Sequence, residues 1–243
     1  MTHVTRRFLI GALALSAAFG PPAAASAAAK PARSVKLTDG RTFAHWAHSQ
    51  HPVAIRRSPS RSSRRVGRLR LRTEDHFPEV YPVLRRVKDR GGRTWLLVRI
   101  PGRPNGRKGW VRSFGLGRVY RIWTRLVVNR RLMRATLYRS GRRIWRSVIG
   151  VGTPSTPTPA GRFWIREKFR VANAGGSFGP RAFGTGGYSV LSEWPGGGVV
   201  GIHGTNQPGL IPGRPSHGCI RVPNRAILRL ARLMPVGTPV RIR

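Results

Sequence analysis

Apolar and β-branched residues come in short runs along most of this chain, and each run is cut off by residues that form turns. Thr94-Trp95-Leu96-Leu97-Val98-Arg99-Ile100 and Gly109-Trp110-Val111 read as strands, because aromatic and β-branched side chains suit a pleated, half-buried surface. Breaks fall at Pro59, Ser60 to Ser63, Gly67, Gly91-Gly92, Gly102, Gly106 and Gly109. A second β-rich unit is expected from Val119 onward. Tyr120 to Ile122 with Leu126 to Val128 would form its first strand, and Ala135 to Tyr138 its second. Ile144 to Ile149 follows a turn at Ser140-Gly141. The run Gly150 to Phe163 carries too many prolines for a central ladder, so a rigid exposed loop ending at the next strand is expected there. Residues 174–200 are glycine-rich, with Tyr188 and Trp194 as expected packing anchors, and suit a segment that lines or covers a cleft. Helical spacing is convincing only at Asn224 to Met234. There Ile227, Leu230, Ala231 and Met234 share a face, and Asn224 is the expected N-cap. Pro235-Val236-Gly237 stops that helix before a last strand, Thr238 to Arg243.

The first residues follow a different pattern. Arg6-Arg7 precedes an apolar stretch from Phe8 to Phe19, and small residues including Ala25-Ser26-Ala27 come after Pro21-Pro22. This is the layout of a signal peptide over residues 1–29. The stretch is short for a bilayer span, which takes about 20 residues. Thr5-Arg6-Arg7 also fits the twin-arginine route, while general secretion stays open. The expected location is therefore outside the cytoplasm, periplasmic or associated with the cell wall. Residues 30–42 read as a flexible linker.

Charge changes the picture less than its size suggests. The chain holds 46 Lys+Arg against 7 Asp+Glu, a formal net charge of +39, and its lysines are Lys30, Lys36, Lys88, Lys108 and Lys168. Such a field favours polyanions. The arginines, however, are spread over strands, turns and tail, without a basic block or an aromatic stacking signature. No dedicated nucleic-acid site is expected, and anionic wall polymers are the natural partners of an exported protein. His45, His48 and His51 recur every three residues without cysteines or many carboxylates nearby, so they read as strand or linker histidines rather than metal ligands. The chain contains neither a phosphate-binding glycine-lysine loop nor a His-Glu-x-x-His helix, so no metal and no organic cofactor is expected.

The chemistry gathers near the C-terminus. The single cysteine, Cys219, lies in Ser216-His217-Gly218-Cys219-Ile220-Arg221, downstream of His203-Gly204-Thr205-Asn206. One thiol forms no intramolecular disulfide, and one thiolate is far from a cysteine-rich zinc site. A cysteine beside histidines suits a nucleophile, although a small buried hydrophobe is the usual fate of a free cysteine. His203 is the candidate base, or else a structural histidine. Pro208, Gly209, Pro212, Gly213 and Pro215 let the intervening segment fold back, and the amides of Gly218 and Cys219 are candidate oxyanion donors. Asn224 reads as a helix cap before a catalytic group.

His203-Gly204-Thr205, followed by Ser216-His217-Gly218-Cys219-Ile220-Arg221 and Asn224, resembles the signature of the YkuD-type L,D-transpeptidases. Thr156-Pro157-Thr158-Pro159-Ala160-Gly161-Arg162-Phe163 resembles a further segment of that family. The match covers roughly residues 119–243. Residues 43–116, with Arg56-Arg57-Ser58-Pro59 and Gly109-Trp110-Val111, resemble a bacterial Src-homology-3-like barrel. The implied fold is mostly β: a small Src-homology-3-like barrel over residues 43–116, then an L,D-transpeptidase β-sandwich over 117–243 with one C-terminal helix.

The resemblance also implies a chemistry. Cys219 would be the nucleophile and His203 its base, oriented by the Gly204 carbonyl. His217 would lie in the pocket and assist, and Ser216, Gly218, Arg221, Gly204 and Thr205 would surround the substrate. The substrates implied are peptidoglycan stem peptides, a tetrapeptide donor and an amine acceptor, with carbapenem-type β-lactams as inhibitors of Cys219. Two other functions stay open: an L,D-carboxypeptidase using the same acyl-enzyme, and a non-catalytic wall-binding protein.

Overall fold

Two antiparallel-dominated sheets meet along one face in the computed structural model, which describes residues 34–193 and 195–243. The signal-like segment of residues 1–29 and Trp194 lie outside the described residues. The first sheet has eight strands. In spatial order they are Arg65–Arg68, Ala54–Arg56, Lys108–Arg112, Thr94–Arg99, Val80–Lys88, Ala44–His48 and Tyr120–Ile122, with Val35–Lys36 also pairing with Val80–Lys88. Its core holds Ile55, Leu69, Tyr81, Val83, Val98 and Val111. Two expectations change here. Residues 35–36 lie within the expected linker, yet they form a strand against Arg85 and Arg86. Tyr120–Ile122 pairs with Ala44–Trp46 of the first sheet instead of opening the second. The Tyr120 ring stacks on Trp46 at 4.8 Å and Ile122 is buried, so packing settles the assignment.

The second sheet has ten strands. Across it run Arg142–Val148, Arg134–Arg139, Thr124–Asn129, Pro239–Ile242, Gly161–Arg170, Arg181–Tyr188, Val199–His203, Ile220–Arg221, Gly150–Gly152 and Gly213–Ser216. Thr124–Asn129 shows the period of two plainly: Thr124, Leu126 and Val128 are buried, while the residues between them are half-exposed. The helix spans Asn224–Leu233 and buries Ile227, Leu230 and Ala231, and the Trp145 Nε1–H donates to its Ala226 carbonyl at 3.1 Å. It is capped by Pro223 with no side-chain bond, so Asn224 is not its cap. Met234 is the C-cap residue rather than part of the last turn.

The glycine-rich segment divides into two parts. Arg181–Tyr188 is an interior strand, buried from Ala182 onward. A Cβ at Gly186 would stand 2.5 Å from the Trp164 ring, and one at Gly184 would stand 2.1 Å from a Glu167 oxygen. Glycine is used there because large side chains of the neighbouring strand cross the backbone.

Polar bonds fasten the sheets together. Arg166 has a fully buried side chain. Its Nε–H donates to Glu79 Oε1 at 2.8 Å, its Nη2 also pairs with Glu79, and Nη2 stands 2.9 Å from Glu74 Oε2. Trp164 Nε1–H donates to the Val80 carbonyl at 2.7 Å, and the Tyr188 hydroxyl donates to Glu74 at 2.6 Å. Asn105 bonds both backbone groups of Tyr188, and Arg103 donates to the carbonyls of Ser189, Leu191 and Gly197.

Candidate active site

Strand pairing brings Cys219 and His203 together. Val199–His203 and Ile220–Arg221 run parallel, with Ile202 opposite Ile220 and His203 opposite Arg221. Both isoleucines are fully buried, so the register is held by the core. Cys219 lies immediately before its strand, and its Sγ accepts the Gly201 N–H at 3.3 Å. A Cβ at Gly201 would be 3.6 Å from Cys219 Sγ and 3.7 Å from His203 Cδ2, so thiol and imidazole flank the same glycine. The turn that presents the thiol depends on Gly218. Its φ is +118°, and a Cβ there would approach Ser189 Cβ to 2.9 Å. Ser216 ties this turn from inside, its hydroxyl donating to the Cys219 carbonyl at 2.6 Å and accepting the Gly218 N–H at 3.3 Å.

His203 is 5% exposed, and its Nδ1–H donates to the Gly204 carbonyl at 2.7 Å. That bond leaves Nε2 as the basic nitrogen of a neutral ring. Burial pushes its pKa down to about 4, and the Arg221 cation adds to the shift. Burial pushes the Cys219 thiol up, partly offset by the Gly201 N–H and Arg221. The resting pair at neutral pH is therefore thiol and imidazole, not thiolate and imidazolium. Such a pair reacts by general-base transfer as the nucleophile attacks.

Both residues line a cleft of about 250 Å³. Phe178 forms part of its wall and packs its ring 4.7 Å from the His203 ring. Gly196 and Val199, from the end of the glycine-rich segment, line another part, and Glu167 and Asp75 complete it.

Residues 124–242 match the model of one protein family, YkuD, described as the L,D-transpeptidase catalytic domain. These residues are an L,D-transpeptidase catalytic domain. The YkuD protein of Bacillus licheniformis is 41% identical over 123 residues, which cover 51% of this chain and 65% of that protein. The YkuD protein of Bacillus subtilis is 40% identical over 94 residues, 39% of this chain and 50% of its own length. The chain thus spans between half and two thirds of these curated relatives. Among solved structures, an Enterococcus faecium L,D-transpeptidase mutant is 26% identical over 49% of each chain, with a TM-score of 0.40. The family supports a transpeptidase-type enzyme.

Within the transpeptidase domain, the residues singled out from sequence do not all converge. Cys219 and His203 share the cleft, and Gly204 holds the imidazole through its carbonyl. His217 is exposed and is not among the cleft-lining residues. The Gly218 amide turns inward to Ser216 instead of toward the cleft. Thr205 is buried, and its N–H is held by Asn224 Oδ1 at 2.9 Å, so Asn224 steadies the histidine loop. Arg221 Nη1 donates to Gln207 at 2.9 Å, while its Nε is buried with no hydrogen-bond partner among the described residues. Phe178, Glu167 and Asp75 were not expected. Phe178 sits in the glycine-rich stretch with Phe183, Tyr188 and Trp194, and nothing local sets it apart from them; the carboxylates belong to no motif.

Proposed function

We propose that this protein is an exported L,D-transpeptidase that cross-links third-position residues of peptidoglycan stem peptides through a Cys219 thioester. The observation that carries the reading is a single thiol and a neutral, oriented imidazole in one cleft of a transpeptidase domain. Cys219 Sγ attacks the carbonyl of the third stem residue while His203 Nε2 takes the thiol proton. The Cys219 amide is the oxyanion donor in this scheme. Collapse of the tetrahedral intermediate breaks the bond to D-alanine, whose amine leaves with the proton from His203. An acceptor amine then attacks the thioester, gives its proton to His203, and restores the thiol. Residues 43–116 are read as a Src-homology-3-like module beside the catalytic domain. The charge of +39 suits retention among anionic wall polymers.

The reading is tested by adding a carbapenem to the purified protein and following the intact mass. A one-to-one adduct at Cys219 is expected. Its rate should be nearly flat from pH 5 to pH 8, because His203 stays neutral down to about 4, and should fall below that. A rate rising tenfold per pH unit between 6 and 8 would show that free thiolate, not the assisted thiol, is reacting.

A further inference from the structure

A second cavity, of about 340 Å³, is lined by both sheets and shares no lining residue with the Cys219 cleft. Three pairs of facing cations stand on its walls. Strand pairing sets Lys36 opposite Arg85 and Arg99 opposite Lys108 in the first sheet, and Arg162 opposite Arg241 in the second. Like charges directly opposite on neighbouring strands repel, so each pair is destabilising. None of the six enters an ion pair among the described residues. The carboxylate on the wall, Asp39, is engaged in its own turn, where it accepts the N–H groups of Arg41, Thr42 and Phe43 at 2.8, 2.9 and 3.1 Å. Arg99 is half-buried; burial pushes its pKa down, and the Arg162 cation of the other sheet adds to the shift. Repulsion thus runs across the cavity as well as along each wall. Arg139 and Arg142 also face each other, at an exposed hairpin end, but here three such pairs line one concave space.

We propose that this cavity is a binding site for a run of phosphate groups on a linear polyol-phosphate polymer. A single monovalent anion relieves one pair at most. Three pairs on two walls call for a ligand with several charges at regular spacing, and a guanidinium is a planar partner for phosphate oxygens. Lys36, Arg85, Lys108, Arg162 and Arg241 are exposed, so the polymer reaches them from solvent. The rest of the wall offers no platform for stacked bases. Phe163 and Trp164 are each 3% exposed, and the Trp164 N–H is already donated to the Val80 carbonyl. Thr38, Gly40, Pro82, Leu84 and Leu97 supply small and aliphatic surface along which a polyol can lie. The site is distinct from the general attraction of a chain with a charge of +39, because it depends on these positions and not on the total. It is also independent of Cys219 and of the reaction assigned to it.

The test titrates the full-length protein with a fluorescent glycerol-phosphate oligomer of about eight units at about 150 mM salt and follows its anisotropy. R99Q/R162Q/R241Q should bind about tenfold or more weakly than the parent. R142Q/R143Q/R146Q removes the same charge from the exposed hairpin strand Arg142–Val148 and should stay within about twofold of the parent. Equal losses in the two variants would reduce the effect to total charge and overturn the proposal, as would a cavity variant within about threefold of the parent. Single-stranded DNA with the same number of phosphates should bind the parent more weakly than the oligomer; tighter binding that R99Q/R162Q/R241Q abolishes would make the ligand a nucleic acid and overturn the polyol assignment. The parent alone gives a second reading should the cavity variant not fold. Per phosphate, the oligomer should bind it at least about tenfold more tightly than monomeric glycerol phosphate, and equal affinity per phosphate would overturn a site built for several charges.

Discussion

Cys219→Ala protein should form no carbapenem adduct and release no D-alanine, while unfolding at nearly the parent's denaturant concentration. The two halves of this expectation have separate causes. The sulfur is the sole thiol of the chain, so no other cysteine can take its place. Removing a nucleophile that works together with a base costs on the order of 10⁶-fold in serine hydrolases, and a comparable loss takes this activity to background. The folding role of the sulfur is small by contrast. It accepts one N–H, from Gly201, and the residue is only partly buried in its surroundings. The turn is held instead by the Ser216 hydroxyl and the Gly218 backbone, which the substitution leaves in place. Mass spectrometry with chemical denaturation checks both halves. Retained turnover would remove Cys219 from the mechanism. A collapse in stability would make it a structural residue.

Glu79→Ala should destabilise the protein by about 3–5 kcal/mol, the cost of leaving a buried charge without its partner. Arg166 and Glu79 have fully buried side chains, and two of the guanidinium nitrogens engage that carboxylate. Glu74 remains as a second partner at 2.9 Å, but it is partly exposed and shared with Tyr188 and Arg70. The substitution also takes the Glu79 Oε1 acceptor from the Val80 N–H, which lies 3.1 Å away. Removing both charges in Glu79→Ala/Arg166→Met should recover much of the loss, since an apolar replacement leaves no orphaned ion. Urea denaturation of the two variants decides the matter. A loss under about 1 kcal/mol for Glu79→Ala would mean that Glu74 alone compensates Arg166.

Much of the site's chemistry is legible in sequence because it is concentrated in two short motifs. His203-Gly204 and Ser216 to Arg221 are interrupted by a segment rich in proline and glycine, and the parallel pairing of their strands does the rest. The alternating strand Thr124–Asn129 and the helix face of Ile227, Leu230 and Ala231 are legible for the same reason: their patterns are local. Other features depend on partners far along the chain. Arg181–Tyr188 is glycine-rich like a loop, and only the crossing Trp164 and Glu167 side chains explain why glycine forms a buried strand. Tyr120–Ile122 reads as the start of the second unit until Trp46 is seen stacked on Tyr120. Asn224 has the position of a cap, yet its carboxamide holds Thr205 across the site. Arg166 is invisible among so many arginines, and nothing near Asp75 in sequence announces that it shares a cleft with Glu167.

The most direct test of the central claim is to mix the purified protein with a disaccharide-tetrapeptide and analyse the muropeptides by mass spectrometry. A dimer lacking one D-alanine, absent with Cys219→Ala, is the predicted product. Tripeptide without dimer would make the enzyme a carboxypeptidase, and an unchanged tetrapeptide would contradict the catalytic account.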